Sequence, residues 1–543
     1  MKNIYKSILI CAVLLLGACT NLDEVLVGEV TGDGFSESEP SFGTFDGGGA
    51  GPSDNMAAAF SGLRSGTASN GGIFSLQSVS SDEMAVTQKG GDWYDGGAWI
   101  ALHRQTAGPT NDQVINTWND QYGAIGNCND ALASGNLDAN GMAQVRVLRA
   151  YYYYRLMDLY GRVKIVTQPG VDAPQATRAQ VFAFVESEIL NALGIGAVTA
   201  SMDLSGSALN PTSSEYRVNQ FGAMGFLAKV YLNAPVFLDL SNTSAEALAY
   251  YQKASWAAGY VIDNGGYTLC DTGCTVPNAG KRPAVASDPD ELEGYAAVFA
   301  PNNQGNPEMI WAVAFDHVTG GGMNFADMTL HYSSQFTWNT QSQPWNGFSA
   351  LEDFYNSYDD SDKRKKASFI VGPQLDYNGS AILDYASTSG DLEINYTPYI
   401  NELEPNASRV GGARLGKFSF RQGNPDDMDN DYPIVRLGEM YLIRAEGDAR
   451  VAGDWNMAAN DVNTIRARAG LGPMASITAD TFLAERGREM FMESVRREDL
   501  IRFGKYNDPW WEKPASQPFR KLYPIPQGQI DASGGTLTQN PGY

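Results

Sequence analysis

Apolar residues step through residues 143–160 at intervals of three and four. Val145, Leu148, Tyr152, Leu156 and Leu159 fall on one stripe of a helix. Gly161 stands where such a helix stops. Similar spacing runs through residues 179–193, 220–232 and 245–262, the last ended by Gly265 and Gly266. A second block follows near the C-terminus, at residues 434–450, 457–469 and 481–503, punctuated by Gly453 and by Gly470-Leu471-Gly472-Pro473. Helices joined by short turns bury their stripes on one another, so the pattern predicts stacked hairpins of the tetratricopeptide kind. The expected fold is therefore mainly α, a tetratricopeptide-like helical hairpin scaffold over about residues 110–265 and 432–505.

Between these blocks, about residues 266–430 carry long aromatic-rich loop insertions, rich in Gly, Pro and Asn with only short apolar runs such as 309–315. Loops of this length inside a domain usually carry function, and a rigid scaffold presenting them suits ligand binding. At the other end, Lys2 and Lys6 precede an apolar run over residues 8–16, too short for the roughly 20 residues of a membrane span. Leu16-Gly17-Ala18-Cys19 follows, so residues 1–18 read as a signal peptide with small residues before the cut. Residues 19–52 are rich in Gly, Ser and acids and read as a flexible tether behind Cys19, with residues 53–543 as the folded domain.

Charge narrows the partners. The chain carries 62 acidic and 38 basic residues, and loss of Lys2 and Lys6 with the signal takes its formal charge from −24 to −26. A body this acidic repels nucleic acid and anionic lipid and argues more weakly against a polyanionic glycan. Of five cysteines, Cys11 leaves with the signal, and Cys270 and Cys274 flank a short turn suited to a small disulfide. The three histidines show no zinc spacing, and no cofactor is expected. Asp427, Asp429 and Asp431 imitate the first half of a calcium loop. Tyr432, however, takes the position that needs Gly, and Gly438 takes that of the closing acid.

Two clusters join flat apolar surfaces to hydrogen-bonding side chains, which is what a sugar ring requires. In residues 91–99, GDWYDGGAW, glycines flank large aromatics, so the loop is expected to hold Trp93 and Tyr94 outward with Asp92 and Asp95 beside them. Trp99 has a core-plug reading beside the binding one, because Leu102 follows one turn on. The second cluster contains His331, Tyr332, Gln335, Trp338, Asn339, Gln343, Trp345 and Asn346. For Trp345 packing is the stronger reading, since Phe348 and Leu351 follow it. No nucleophile elbow, P-loop or metal-binding helix appears, and no catalytic residue is assigned. A glycoside hydrolase using two of the many carboxylates, or a peptide binder using a helical groove, stay open as alternatives.

Residues 432–446 (YPIVRLGEMYLIRAE), 463–470 (NTIRARAG), 485–491 (ERGREMF), 496–504 (RREDLIRFG), 523–526 (YPIP) and 539–543 (QNPGY), and upstream 149–156 (RAYYYYRL), form a series of motifs. In these the chain resembles the SusD/RagB family of nutrient-binding outer-membrane lipoproteins. Residues 16–19 look like the bacterial lipobox, which implies lipid on Cys19 and a place in the outer membrane at the cell surface. Gly438 stands where Ala is usual and Ser494 where Gly is usual. The resemblance implies an extracellular lid on a SusC-like TonB-dependent transporter, to which it hands a poly- or oligosaccharide without turnover. The acidity of the body points to a neutral glucan. Binding aromatics would come from both an N-terminal loop and the insertion, as the two clusters do. Arg436, Glu439, Arg444, Glu446, Arg466, Arg486, Glu489 and Arg496, on helices among apolar residues, are expected to be hydrogen-bonded ion pairs, because a buried lone charge is too costly.

Overall fold

The structure is a computed structural model that describes residues 53–318, 321–388 and 390–543. Cys19, the signal and the tether lie outside the described residues. The scaffold helices are α1 (Asp112–Ala133), α2 (Ala139–Leu159), α3 (Arg178–Leu193), α4 (Gln220–Phe237), α5 (Ala245–Asn264), α6 (Leu437–Ala452), α7 (Ala459–Arg468), α8 (Ala479–Met490) and α9 (Arg496–Arg502). Their starts are written in the sequence. The side chains of Asn111, Asp138, Asn219 and Ser244 accept N–H groups of the first turns of α1, α2, α4 and α5, and Thr177 with Gln180 closes a capping box on α3. Gly194 and Gly453, both left-handed, end α3 and α6.

Each of α1 to α5 packs on the next, and α5 packs on α6. The scaffold is thus continuous across the insertion. Gly447 makes that junction close, because a Cβ there would meet the Tyr251 carbonyl oxygen at 2.7 Å. The sequence placed one apolar stripe on residues 143–160, yet α2 is buried on nearly every face. Its tyrosines tolerate this because their hydroxyls find partners: Tyr152 donates to Ala59 O at 2.7 Å, Tyr153 to Val166 O at 3.0 Å and Tyr154 to Glu498 at 2.6 Å. Residues 481–503 are not one helix. Met492 and Ser494 take left-handed φ of 62° and 56°, which breaks the run between α8 and α9 and explains why glycine suits position 494.

Short strands stitch the insertion to its neighbours. Strands β1 (Met84–Val86) and β3 (Phe348–Ala350) pair antiparallel, with Val86 opposite Phe348. Strands β2 (Met309–Val313) and β4 (Tyr432–Arg436) pair likewise, so α6 begins after a strand rather than at residue 434. The expected disulfide joins Cys270 and Cys274.

The signature charges form a buried network. Arg436 reaches Glu308 at 2.8 Å, Glu489 at 2.7 Å and Glu493 at 2.6 Å. Arg468 pairs with Glu308 and Glu489, Arg364 with Asp362, Glu485 and Glu489, Arg486 with Glu439 and Asp499, and Arg502 with Glu446 and Asp499. Burial alone would raise the Glu489 carboxyl, but Arg468, Arg436 and Arg364 outweigh it and hold it below its ordinary range. Gly438 also has a reason here: a Cβ would sit 2.3 Å from Arg436 Nη1 and 2.8 Å from Glu308 Oε1.

Candidate functional site: an aromatic platform

The β1–β3 pairing carries the loop after β1 to the segment before β3, so the two clusters that lie far apart in sequence meet. Lys89 and Asp92 exchange backbone hydrogen bonds around Gly90 and Gly91, a tight turn that aims the chain at the insertion. The Trp93 indole N–H then donates to Trp345 O at 2.6 Å, and the Tyr332 hydroxyl hydrogen-bonds the Asp92 carboxylate. Burial and that carboxylate push the Tyr332 phenol up, so it keeps its proton and remains the donor.

Trp93 does not face outward as expected. It is only 9% exposed, lying edge-on to Trp99 at 5.5 Å and to Phe348 at 5.7 Å. The cause is the backbone: Trp93 has a left-handed φ of 58°, which turns the indole inward onto Gly347, where a Cβ would stand 2.4 Å from the ring. Trp99 is buried, and its N–H donates to Asp95 at 2.7 Å. This leaves Tyr94, 48% exposed, and Trp345, 38% exposed, as the aromatics that the two clusters show to solvent at their meeting point. The packing expectation for Trp345 is corrected: Phe348 enters the core instead, and the Trp345 main chain, bonded to Trp93 and to Asp327 O, leaves its ring outside.

Trp338 and Asn339 belong to a different neighbourhood. Trp338 is half-buried, edge-on to Phe420 at 5.1 Å, and Asn339, with a left-handed φ of 49°, donates to Gln422 at 3.3 Å. Among the described residues, four of the nine non-glycine positions with left-handed φ (Trp93, Asp95, Asn339 and Asn346) lie in the two clusters, and strained backbone of this kind concentrates at ligand-contacting loops.

The sequence reading missed the polar rim. Asp384 pairs with Arg409 at 2.7 Å, and the Arg409 carbonyl accepts Asn346 Nδ2 at 3.1 Å. Tyr385, 48% exposed, donates its backbone N–H to Ser333 beside Tyr332. Neither Asp384 nor Arg409 stands next to an aromatic cluster along the chain, so only the fold reveals them. Beneath the platform, Lys89 Nζ donates to Thr87 Oγ1 at 2.9 Å and to Gly347 O at 3.4 Å. Burial and the nearby Arg414 push its ammonium well down. His331 is likewise pushed down to about 3, chiefly by burial, and stays neutral.

The calcium half-loop does not form. Asp427 accepts the Gly322 N–H at 2.7 Å, Asp429 pairs with His317 at 2.6 Å and Arg421 at 3.1 Å, and Asp431 accepts the Tyr216 hydroxyl at 2.7 Å. Each carboxylate is thus taken by a different partner, and the three do not converge. Among the described residues the set that does converge is Asp316, His317 and Asp429, and Arg421 already offsets Asp429.

The class defined by this architecture is a helical-hairpin scaffold whose insertion and first loop together present exposed aromatics. A family model described as "SusD family" matches residues 302–543, and one described as "Starch-binding associating with outer membrane" matches residues 67–232. The starch-binding protein SusD of Bacteroides thetaiotaomicron is 35% identical over 432 residues, covering 74% of this chain and 72% of that protein. This chain belongs to the SusD family. A laminarin-binding SusD-like protein shares the fold with a TM-score of 0.66 at 20% identity, covering 90% of this chain and 98% of that one. Surface glycan-binding protein A from Bacteroides thetaiotaomicron, solved with laminarihexaose, gives 0.67 at 20% identity over the same shares.

Proposed function

We propose that this chain is a lipid-anchored glycan-binding protein of the outer-membrane surface. It captures a neutral glucan and passes it to a SusC-like TonB-dependent transporter without cleaving it. The observation that carries the reading is the joining of the two clusters by the Trp93–Trp345 and Tyr332–Asp92 hydrogen bonds, which leaves Tyr94 and Trp345 exposed, with Arg409, held by buried Asp384 and Asn346, and exposed Tyr385 as a polar rim. Indole and phenol faces take the C–H faces of sugar rings, and the rim takes hydroxyls. The carbohydrate ligands named for the relatives support the class of ligand. Asp384 and Arg409 neutralise each other, so the rim carries no free cation for a uronate.

The test is affinity electrophoresis of the chain in gels containing neutral and acidic polysaccharides, with reducing ends assayed in parallel. Retardation by a neutral glucan, lost in Tyr94→Ala with Trp345→Ala and without new reducing ends, is the expected result. Retardation by alginate alone would overturn the neutral ligand, and reducing ends lost on mutating one carboxylate would overturn binding without turnover. Cys19→Ser is expected to leave the membrane fraction.

A further inference from the structure

A cavity of about 470 Å³ opens on the helical scaffold, in residues that the platform does not use. Three segments distant in sequence build it: α1, the loop at residues 164–172, and the C-terminal stretch around Gln529. Trp118 from α1 supplies an apolar wall, its ring 4.9 Å from that of Tyr122 and 5.0 Å edge-on from Tyr160. Tyr122 is fixed by its hydroxyl, which donates to Lys164 O at 3.0 Å and accepts the Lys164 N–H at 2.9 Å. The wall is therefore held by the loop opposite it.

The polar groups around this wall are balanced in charge and incomplete in hydrogen bonding. Lys164 Nζ lies 2.8 Å from both carboxylate oxygens of Asp172 and 2.8 Å from Thr536 Oγ1, so the pair brings no net charge. Gln529 donates to Asn119 Oδ1 at 3.1 Å. The Asn119 amide N–H groups and the Gln529 carbonyl are then left for a ligand. The Trp118 indole N–H, on a residue only 4% exposed, has no acceptor among the described residues and is not sealed from solvent. Such a donor can exchange water for a ligand hydroxyl.

We propose that this cavity is a second saccharide site, distinct from the platform, that takes a neutral mono- or disaccharide. An aromatic wall with amide donors and acceptors and a self-neutralised ion pair fits a hydroxylated ring with one apolar face, and fits neither a cation nor an anion. The choice of ligand class rests on the glycan-binding reading above. The volume falls within the roughly 300–1,000 Å³ range of small-ligand sites.

The experiment uses the chain carrying Tyr94→Ala and Trp345→Ala, with the platform disabled, titrated with maltose and with laminaribiose by saturation-transfer NMR. Millimolar binding of at least one disaccharide is expected. Ala532→Trp, at an exposed lining position, should fill the cavity and weaken that binding about tenfold or more. Trp118→Phe, which keeps an aromatic ring and removes the N–H, should weaken it as well. Binding indifferent to Ala532→Trp overturns the site, and so does the absence of saturation transfer from both disaccharides. Polysaccharide retardation of the unmodified chain reports the platform separately. A chain retarded there but silent toward disaccharides here loses only the cavity site. A chain that binds disaccharide here and is not retarded there keeps the cavity and loses the platform.

Discussion

Trp93 and Trp345 are neighbouring tryptophans whose replacement by alanine should differ in its effect, the first mainly on stability and the second mainly on binding. The Trp93 ring is packed against Trp99 and Phe348, and its N–H is spent on Trp345 O. Truncating a buried aromatic costs about 3–5 kcal/mol. The lost hydrogen bond adds about 1 kcal/mol. Nothing is recovered from the backbone, since alanine meets the same penalty as tryptophan at a φ of 58°. Trp93→Ala should therefore lose about 4–6 kcal/mol of stability and bind glycan poorly only because its loop no longer seats Trp345. Trp345→Ala should lose under about 1 kcal/mol of stability, as exposed substitutions do. It should also lose about 1–3 kcal/mol of binding, some ten- to hundredfold, as a stacking contact does. Urea unfolding midpoints and affinity electrophoresis on the same preparations measure both quantities. A Trp93→Ala chain that unfolds like the unmodified protein, beside a Trp345→Ala chain that unfolds early, would refute the argument and exchange the roles of the two indoles.

Two further outcomes follow from buried charges. The Glu83 carboxyl is pushed up to about 8, first by burial and then by Asp82, against the opposing pull of Arg496 and Lys417. Its folded value lies above its unfolded one, so the native state binds the extra proton and stability falls as pH rises from about 4.5 to about 8. Glu83→Gln should remove that slope, gaining up to roughly 4 kcal/mol between about pH 5 and pH 9 relative to the unmodified chain; parallel stability curves for the two proteins would contradict it. Arg436→Met removes the guanidinium shared by Glu308, Glu489 and Glu493, leaving them to Arg468, Arg364 and Lys417, and should cost about 3 kcal/mol at neutral pH. The deficit should shrink on acidification, because the carboxyls regain protons once the guanidinium is gone, and a pH-independent deficit would contradict it.

The hairpin scaffold was legible because α3, α4 and α5 carry their periodicity and caps within single stretches of sequence. What escaped was set by partners distant in sequence. Residues 143–160 read as a stripe because tyrosine looks amphipathic, and only the positions of Ala59, Val166 and Glu498 show that its hydroxyls can be satisfied inside. The break at residues 491–495 was hidden because neither left-handed residue there, Met492 or Ser494, is a glycine. At the candidate site the two clusters were found from residue type, but the direction of each indole was not. The glycines around Trp93 suggested a ring free to point outward. The deciding glycine was Gly347, more than 250 residues away, whose missing side chain makes room for the ring in the core. Asp384 and Arg409 gave no local signal, because an ion pair in a loop reads like any solvated charge.

The contrast between a legible scaffold and a concealed site has a structural cause in the charge network. Its members join the parts of the chain that folding must bring together. Arg436 and Arg468 reach Glu308 in the insertion, and Arg364 in the insertion reaches Glu485 and Glu489 on α8. Arg496 reaches Asp82 beside β1, while Arg497 and Glu498 reach Asp158 and Arg155 on α2. Apolar side chains could fill these seams, but they are non-directional, and an inserted segment could slide along them. Guanidinium forks bond carboxylates only in fixed geometry, so one register satisfies them. The same residues must therefore stand at the same places whatever the loops carry. That is why the recognisable motifs map to the seams, and why none of them supplies a side chain to the platform. On the proposed reading, ligand choice falls to Tyr94, Trp345 and their rim, on loops free to vary so long as Val86 still meets Phe348 across β1 and β3.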